Sequence, residues 1–353
     1  MFKKLCAVVA VACISGTCLG QGVTNSVIVG WGRSAEVQTT TPAAIGLVVQ
    51  IAAGDYHSVA LRHNGSVLCW GSNADGQCNT PANLGPVKRI AAGYNTTIAL
   101  LRTGSVACWG VNVNGECNVP AGLSDAIQVA GGGYHNLALR ANGTIVSWGW
   151  NGVGQCTTPA GIGPVKGIGA GHAQTIAIRE DGSVWCWGRN DSGECNVPAG
   201  LSNIGSVSGG GFHSLARATD GRTWYWGSNG WGQDIIPSQV QYARQVGGGH
   251  YHCLALALDR TVQAWGADWE GQAQEPAGLA GVVQIAAGGY HNLALLAADE
   301  DGDGIDNTVD NCPLNANPLQ TDSDNDGVGD VCENIANVLP PQEWKVSLGG
   351  NGH

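Results

Sequence analysis

At 353 residues the chain is long enough for a large core, and its 56 glycines and 12% charged residues describe a turn-dense fold with a quiet surface. The formal net charge of −11 is concentrated: residues 21–298 carry 13 basic and 15 acidic side chains, whereas residues 299–333 carry 11 acidic and no basic ones. The body of the chain therefore lacks the basic field that nucleic-acid phosphates attract, and nothing beyond the N terminus is apolar for the roughly 18 residues that a membrane helix needs.

Residues 1–20 read as an export signal. Lys3 and Lys4 precede an apolar run from Leu5 to Ile14, small residues follow, and cleavage is expected near Gly20 and Gln21. Export would place the protein outside the cell or in its envelope. Ten cysteines remain after the signal, a number that suggests disulfides, although the count alone also admits zinc or thiols.

The next 270 or so residues are organised by a Trp-Gly pair at Trp31, Trp70, Trp109, Trp148, Trp187, Trp226 and Trp265, spaced by 39 residues without an insertion. A glycine keeps the same interval from Gly54 to Gly288, and a proline from Pro42 to Pro276. In the unit at 48–82, Val48 to Ala53 reads as a strand ending at Gly54, His57 to Leu61 as a second, Asn64-Gly65 as a hairpin turn and Ser66 to Trp70 as a third. Thr80-Pro81-Ala82 is a candidate fourth.

A sheet of three or four strands cannot bury both faces alone, so successive sheets stack, in an open solenoid or a closed ring. The ends of the array decide. Ser26 to Gly32 supply only a third strand, and the last unit supplies only the first two, Val282 to Gly288 and His291 to Leu296. Closing the ring costs about 5 kcal/mol. Burying Val27, Ile28, Val29 and Trp31 returns about 1.5–3 kcal/mol for each fully buried large side chain. The expected fold is all-β, a seven-bladed β-propeller over residues 21–298 closed by its N-terminal strand.

The unit Val-x-Gln-Ile-Ala-Ala-Gly-x-Tyr-His-Ser-x-Ala-Leu, followed by Gly-Ser-Val-x-Cys-Trp-Gly-x-Asn and Gly-Gln, resembles the repeat of the regulator of chromosome condensation family. It is most similar to the short bacterial version, which also occurs in a secreted protein inhibitor of β-lactamase. The resemblance covers residues 26–298 and implies a seven-bladed propeller; it says little about function, because the scaffold serves different ends in different proteins.

Histidine follows the strand-ending glycine by three positions at His57, His135, His213, His252 and His291, with Thr96 and Gln174 in the other two places. An aromatic precedes each histidine, at Tyr56, Tyr134, Phe212, Tyr251 and Tyr290. Two readings stand: a Tyr/His ring around one mouth that binds a partner, or residues doing one structural job in every blade. The structural reading is favoured, more so for the histidines, which a ring would also hold too far apart to share a metal. The Trp column reads as core. Asn73 and its equivalents suit turns, and Gln77, Glu116, Gln155, Glu194, Gln233 and Gln272 suit backbone satisfaction.

Positions that break the columns carry more functional information: Arg33, Glu36, Trp150, His172, Arg189, Tyr225, Trp231, His250, Trp269 and Glu270. Trp150, Trp231 and Trp269 lie in or beside the loop after Trp-Gly, where exposed aromatics mark contact surfaces. With Arg189 and the Tyr/Phe column they form the candidate partner-binding set. Cysteines pair locally as Cys69/Cys78, Cys108/Cys117 and Cys186/Cys195, three candidate disulfides; Ser147 leaves Cys156 without a mate, and Cys156 and Cys253 are expected to be free.

Residues 299–333 form a second module. Asp299, Asp301, Asp303, Ile305 and Asp310 stand at positions 1, 3, 5, 7 and 12 of a calcium loop, and Asp322, Asp324, Asp326, Val328, Asp330 and Glu333 stand at 1, 3, 5, 7, 9 and 12 of another. Gly304 and Gly327 take the sharp turn at position 6. Alternate carboxylates converge on a hard cation, and about two calcium ions are expected, against an acidic disordered linker as the alternative. The run Asp310-Asn311-Cys312-Pro313 through Asp330-x-Cys332 resembles the thrombospondin type 3 repeat, which implies calcium ligation and a Cys312–Cys332 bridge. Residues 334–353 read as a flexible tail.

The expected function is that of a secreted, non-enzymatic binding protein whose rigid propeller face recognises an extracellular protein or glycan, with the calcium module as spacer or envelope attachment. One alternative is inhibition of an extracellular enzyme. Another is hydrolysis of a polysaccharide or other polymer, with Asp191, Glu194, Asp268 and Glu270 as acid candidates; no catalytic Ser/His/Asp arrangement stands out from the repeat.

Overall fold

The computed structural model describes residues 26–296, together with 319 and 321. Seven three-stranded antiparallel sheets make up the seven blades. Blade I consists of Val48–Ala53, His57–Arg62 and Val67–Gly71, and the same plan recurs through blades II to VI. The hairpins between second and third strands of blades I to V turn on a glycine with positive φ, and that of blade VI on Arg260 (φ 67°); at Gly65 (φ 80°) the N–H donates to the Arg62 carbonyl. A β-branched Val or Ile opens most first strands, and a bulge follows one residue later, as between Val48 and Gln50.

Blade VII is assembled from both ends of the array. Val282–Ala287 and His291–Leu296 supply two strands, and Ile28–Gly32 pairs with the latter in the register Ile28↔Leu295 through Gly32↔His291. Backbone bonds then run from blade to blade around the axis. Asp55 N–H donates to the Tyr94 carbonyl, Tyr94 to Gly132, Gly133 to His172, His172 to Gly210, Gly211 to His250, His250 to Gly289 and Gly289 to Gly54. The last link returns to blade I, so the circuit is complete. Side-chain amides reinforce it from Gln50, Gln128, Gln245 and Gln284: Gln50 brackets Ile90 of blade II, and Gln284 of blade VII accepts from Ile51 N–H at 2.9 Å.

The core lies between blades rather than within them. A cluster such as Ile28, Ile45, Val48, Ile51, Ala60, Trp70, Leu293 and Leu295 fills the wedge between blades VII and I, and each other interface has its counterpart. The tryptophan column is buried, and all its indole N–H groups but that of Trp109 donate to backbone carbonyls, as Trp70, Trp148 and Trp265 do to Gln38, Glu116 and Gln233. The column histidines do the structural job expected of them. The Thr97 hydroxyl gives its hydrogen to Gln77 O, so its oxygen accepts from His57 Nε2 at 3.0 Å, one blade on; His135–Thr175, His252–Asn292 and His291–Ser58 repeat the link.

The expected fourth strand is absent from the described residues. Pro81 closes a turn by accepting from Leu84 N–H, as do Pro120, Pro159, Pro198 and Pro276 in their blades, and proline has no N–H to enter a ladder. The helical content of the described residues is one short 3₁₀ turn, Ser238–Val240, and no helix among them is long and apolar enough to cross a membrane.

Candidate functional site

Because each sheet is antiparallel, the link between first and second strands and the loop after Trp-Gly leave the sheet at the same end. The two register-locked positions touch: Ser72 N–H donates to Tyr56 O, Trp150 to Tyr134 O, Arg189 to Ala173 O and Arg33 to Tyr290 O. The two groups of aromatics singled out in the sequence therefore share one mouth of the propeller.

Their rings form a connected surface. Tyr56 stacks on Tyr290 at 5.9 Å, Tyr251 on Phe212 at 5.3 Å and His250 on Tyr251 at 4.6 Å. Trp269 meets Tyr251 edge-on at 5.3 Å and Trp231 at 4.5 Å, and Trp150 meets Tyr134 at 6.0 Å. Trp231 is 50%, Trp269 51% and Tyr134 41% exposed. Two arginines reach across blade boundaries onto this surface: Arg189 lies 4.3 Å over Phe212, and Arg33 5.2 Å over Tyr56. Both are held by acids, Arg33 by Glu36 and Glu270, Arg189 by Asp191 and Glu194. All nine candidate partner-binding residues are thus brought to one end. Stacking of this kind adds about 0.5–1.5 kcal/mol per pair beyond burial, which fixes rings that water would otherwise leave mobile.

At the centre of the mouth four side chains close the axis. They occupy the position after the turn glycine, which reads Asp55, Tyr94, Gly133, His172, Gly211, His250 and Gly289 around the ring. Gly133, Gly211 and Gly289 are required because a Cβ at each would run into His172, His250 or Asp55 of the next blade. The Tyr94 ring lies 5.1 Å from His172 and 5.2 Å from His250. With the glycines and alanines of the first strands they line an axial cavity of about 70 Å³. Burial pushes the Asp55 carboxyl up to about 7 and the His250 imidazole down to about 4, and it lowers His172 as well. His172 and His250 are visible in the sequence as departures from the repeat. Asp55 and Tyr94 were missed, and the same signal, a column with no consensus, would have found them.

The acids considered for hydrolysis are engaged in structure. Glu194 is fully buried and accepts from Ser192 N–H, Asp268 accepts from Ala273 N–H, Glu270 pairs with Arg33, and Asp191 with Arg189. The cysteine pairs meet as expected: Cys69–Cys78 and Cys186–Cys195 are bonded, with Cα atoms 4.9 Å apart in each. Cys108 and Cys117 depart from the expected disulfide. Their sulfurs lie 2.7 Å apart as thiols, longer than the about 2.05 Å of a bond, and the thiol form of Cys108 is favoured by the Cys117 contact first and by burial second. Cys156 and Cys253 are free. The calcium candidates Asp299, Asp301, Asp303, Ile305, Asp310, Asp322, Asp324, Asp326, Val328, Asp330 and Glu333, the pair Cys312 and Cys332, the signal segment and the tail all lie outside the described residues.

The profile of the Regulator of chromosome condensation (RCC1) repeat matches residues 48–77, 87–116, 126–155 and 165–194, and that of the Thrombospondin type 3 repeat matches 297–320 and 321–334. No curated protein matches the sequence. Among solved structures, Prp20p of Saccharomyces cerevisiae, described with its binding properties to Gsp1p and histones, is 18% identical with a TM-score of 0.63, over 77% of this chain and 92% of that one. Human WBSCR16 is 16% identical with a TM-score of 0.63, over 77% and 99%. The CRINKLY WD40 ectodomain of the Arabidopsis thaliana receptor kinase ACR4 is 22% identical with a TM-score of 0.58, over 71% and 92%. At these identities the likeness concerns the fold.

Proposed function

We propose that this seven-bladed propeller of RCC1-type repeats is a secreted recognition protein that acts by binding, and that its aromatic mouth is the surface that meets an extracellular protein or glycan. The observation that carries the reading is the exposure of Trp231 and Trp269, in contact with each other and continuous with Tyr251. Nothing in the repeat requires tryptophan at either position, and half-exposed indoles on a rigid ring are what interface anchors look like before a partner covers them. The acids tied to backbone and arginine support binding over hydrolysis.

The C-terminal segment fits calcium by its donor set. Two series of carboxylates on alternate residues, each with glycine at the turn, offer hard oxygen ligands at the spacing of a calcium loop, and the match to the thrombospondin type 3 repeat points the same way. Bound calcium would supply the charge that lets these carboxylates lie together.

The test is capture of partners from the extracellular fraction by wild-type protein and by Trp231→Ala/Trp269→Ala. The double variant should keep its melting temperature and lose about 30-fold or more in affinity, the loss of two anchors at over 1 kcal/mol each. Equal capture by a folded double variant contradicts the proposal.

A further inference from the structure

The four side chains at the axis bring unpartnered polar atoms of three chemical kinds together. Asp55 Oδ1, Tyr94 Oη, His172 Nδ1 and His250 Nδ1 are all buried, and none has a hydrogen-bond partner within the protein. Asp55 is only 7% exposed, and its Oδ1 stops 4.0 Å from His250 Nδ1. Each unpaired buried polar atom costs about 1–3 kcal/mol, more for a charge. The column histidines share an unpartnered Nδ1, but only at the axis do such atoms lie beside a buried carboxylate and phenol: Tyr94 is 5.1 Å from His172 and 5.2 Å from His250, and the deficit there is local. Rings surround that point: His250 lies 5.4 Å from Tyr290 and 4.6 Å from Tyr251, and Tyr94 lies across it.

We propose that this axial site receives the ammonium group of a lysine side chain carried by a protein partner docked on the aromatic mouth; the inference rests on the recognition reading above and narrows it. An ammonium has three donors and no acceptor, which suits a carboxylate, a phenol oxygen and unprotonated imidazole nitrogens. Aromatic faces attract a cation, the more so away from water. Lysine reaches such a point because its charge is compact and its stem is a narrow apolar chain. Asp55, Tyr94, His172 and His250 all line the axial cavity, so an ammonium brought to them enters it. The described residues hold no group of three His, Cys, Asp or Glu placed to bind a metal.

The charges around the site are compatible. Asp55 is faced by Tyr56, Tyr94 and Tyr290, with His250 and His172 beyond; Arg33 is paired with Glu36 and Glu270, and Arg189 with Asp191 and Glu194, so neither guanidinium fills the site itself. Both histidines are neutral at neutral pH, since burial lowers them, while Asp55 is held near its midpoint. A cation should therefore bind more tightly as pH rises from 6 to 8.

The experiment follows the side-chain carboxyl resonance of Asp55 in full-length protein labelled with ¹³C-aspartate, titrated with acetyl-Gly-Lys-Gly-amide. The comparison ligands are the same peptide with norleucine for lysine, and glucosamine. Saturation by the lysine peptide is expected, at least about tenfold weaker binding of both comparison ligands, and its loss in Asp55→Asn as followed by the imidazole resonances of His250. In Trp231→Ala/Trp269→Ala the lysine peptide should still bind, so failure of partner capture and failure of the axial site are read separately. An Asp55 resonance unmoved by millimolar lysine peptide, equal binding of the norleucine peptide, or unchanged binding by Asp55→Asn would overturn the proposal. Glucosamine binding as well as the lysine peptide would assign the site to amino sugars instead and overturn it equally.

Discussion

Buried imidazoles tie the blades together only while they are neutral. Desolvation lowers His57 and His252 to about 4 and His135, His213 and His291 to about 3. Folded values below that of free imidazole mean that the contribution is complete above about pH 6.5 and is lost as pH falls toward the folded values. The melting temperature should be nearly flat from pH 7 to 8 and fall below 6.5, each histidine costing about 1.4 kcal/mol per pH unit. Gln174 fills the histidine position in blade IV, bonding to the Gly210 and His213 carbonyls, so His57→Gln should fold and show a shallower acid decline. Asp55 has the opposite sign. With its carboxyl raised to about 7, its contribution is complete below about 3.8 and lost as pH rises through 7. Asp55→Asn should raise the melting temperature at pH 8, by a few kcal/mol in stability, and change it little at pH 4.

Strands and staples were legible because they repeat. Each hairpin glycine, each β-branched strand and the closing strand at Ile28–Gly32 fell where the 39-residue period put them, since one solution to packing a wedge is reused in every blade. The proline segment was not legible as a turn, because Thr-Pro-Ala reads the same whether or not a ladder partner is near. The closing strand is the element with most at stake. Trp31 is buried between blades VI and VII with Leu254, Val262 and Ile285; Trp31→Ala should cost about 3–5 kcal/mol and speed amide exchange in His291–Leu296, its ladder partner. Uniform loss of protection in all seven blades would deny the strand its local role. For the cysteines, mass mapping of oxidised protein should yield Cys69–Cys78 and Cys186–Cys195, with Cys156 and Cys253 alkylated as free thiols.

At the scale of the molecule, repetition explains what sequence reading recovered of the site and what it lost. The column aromatics and the unscheduled tryptophans were found as two sets; they are one surface because antiparallel strands send both loops to the same end. The axial quartet was lost for a different reason. Asp55, Tyr94, His172 and His250 come together only by closing the ring, across separations of up to 195 residues, and no spacing within the repeat announces that. The measurement that tests the account most directly is oxidative footprinting of tryptophan in the free protein and in complex with its captured partner. Protection of Trp150, Trp231 and Trp269 together, with the buried tryptophan column unreactive in both, is the expected result. Unchanged labelling of those three, with protection instead around Tyr242 beside the hairpin turn at Gly221, would contradict it.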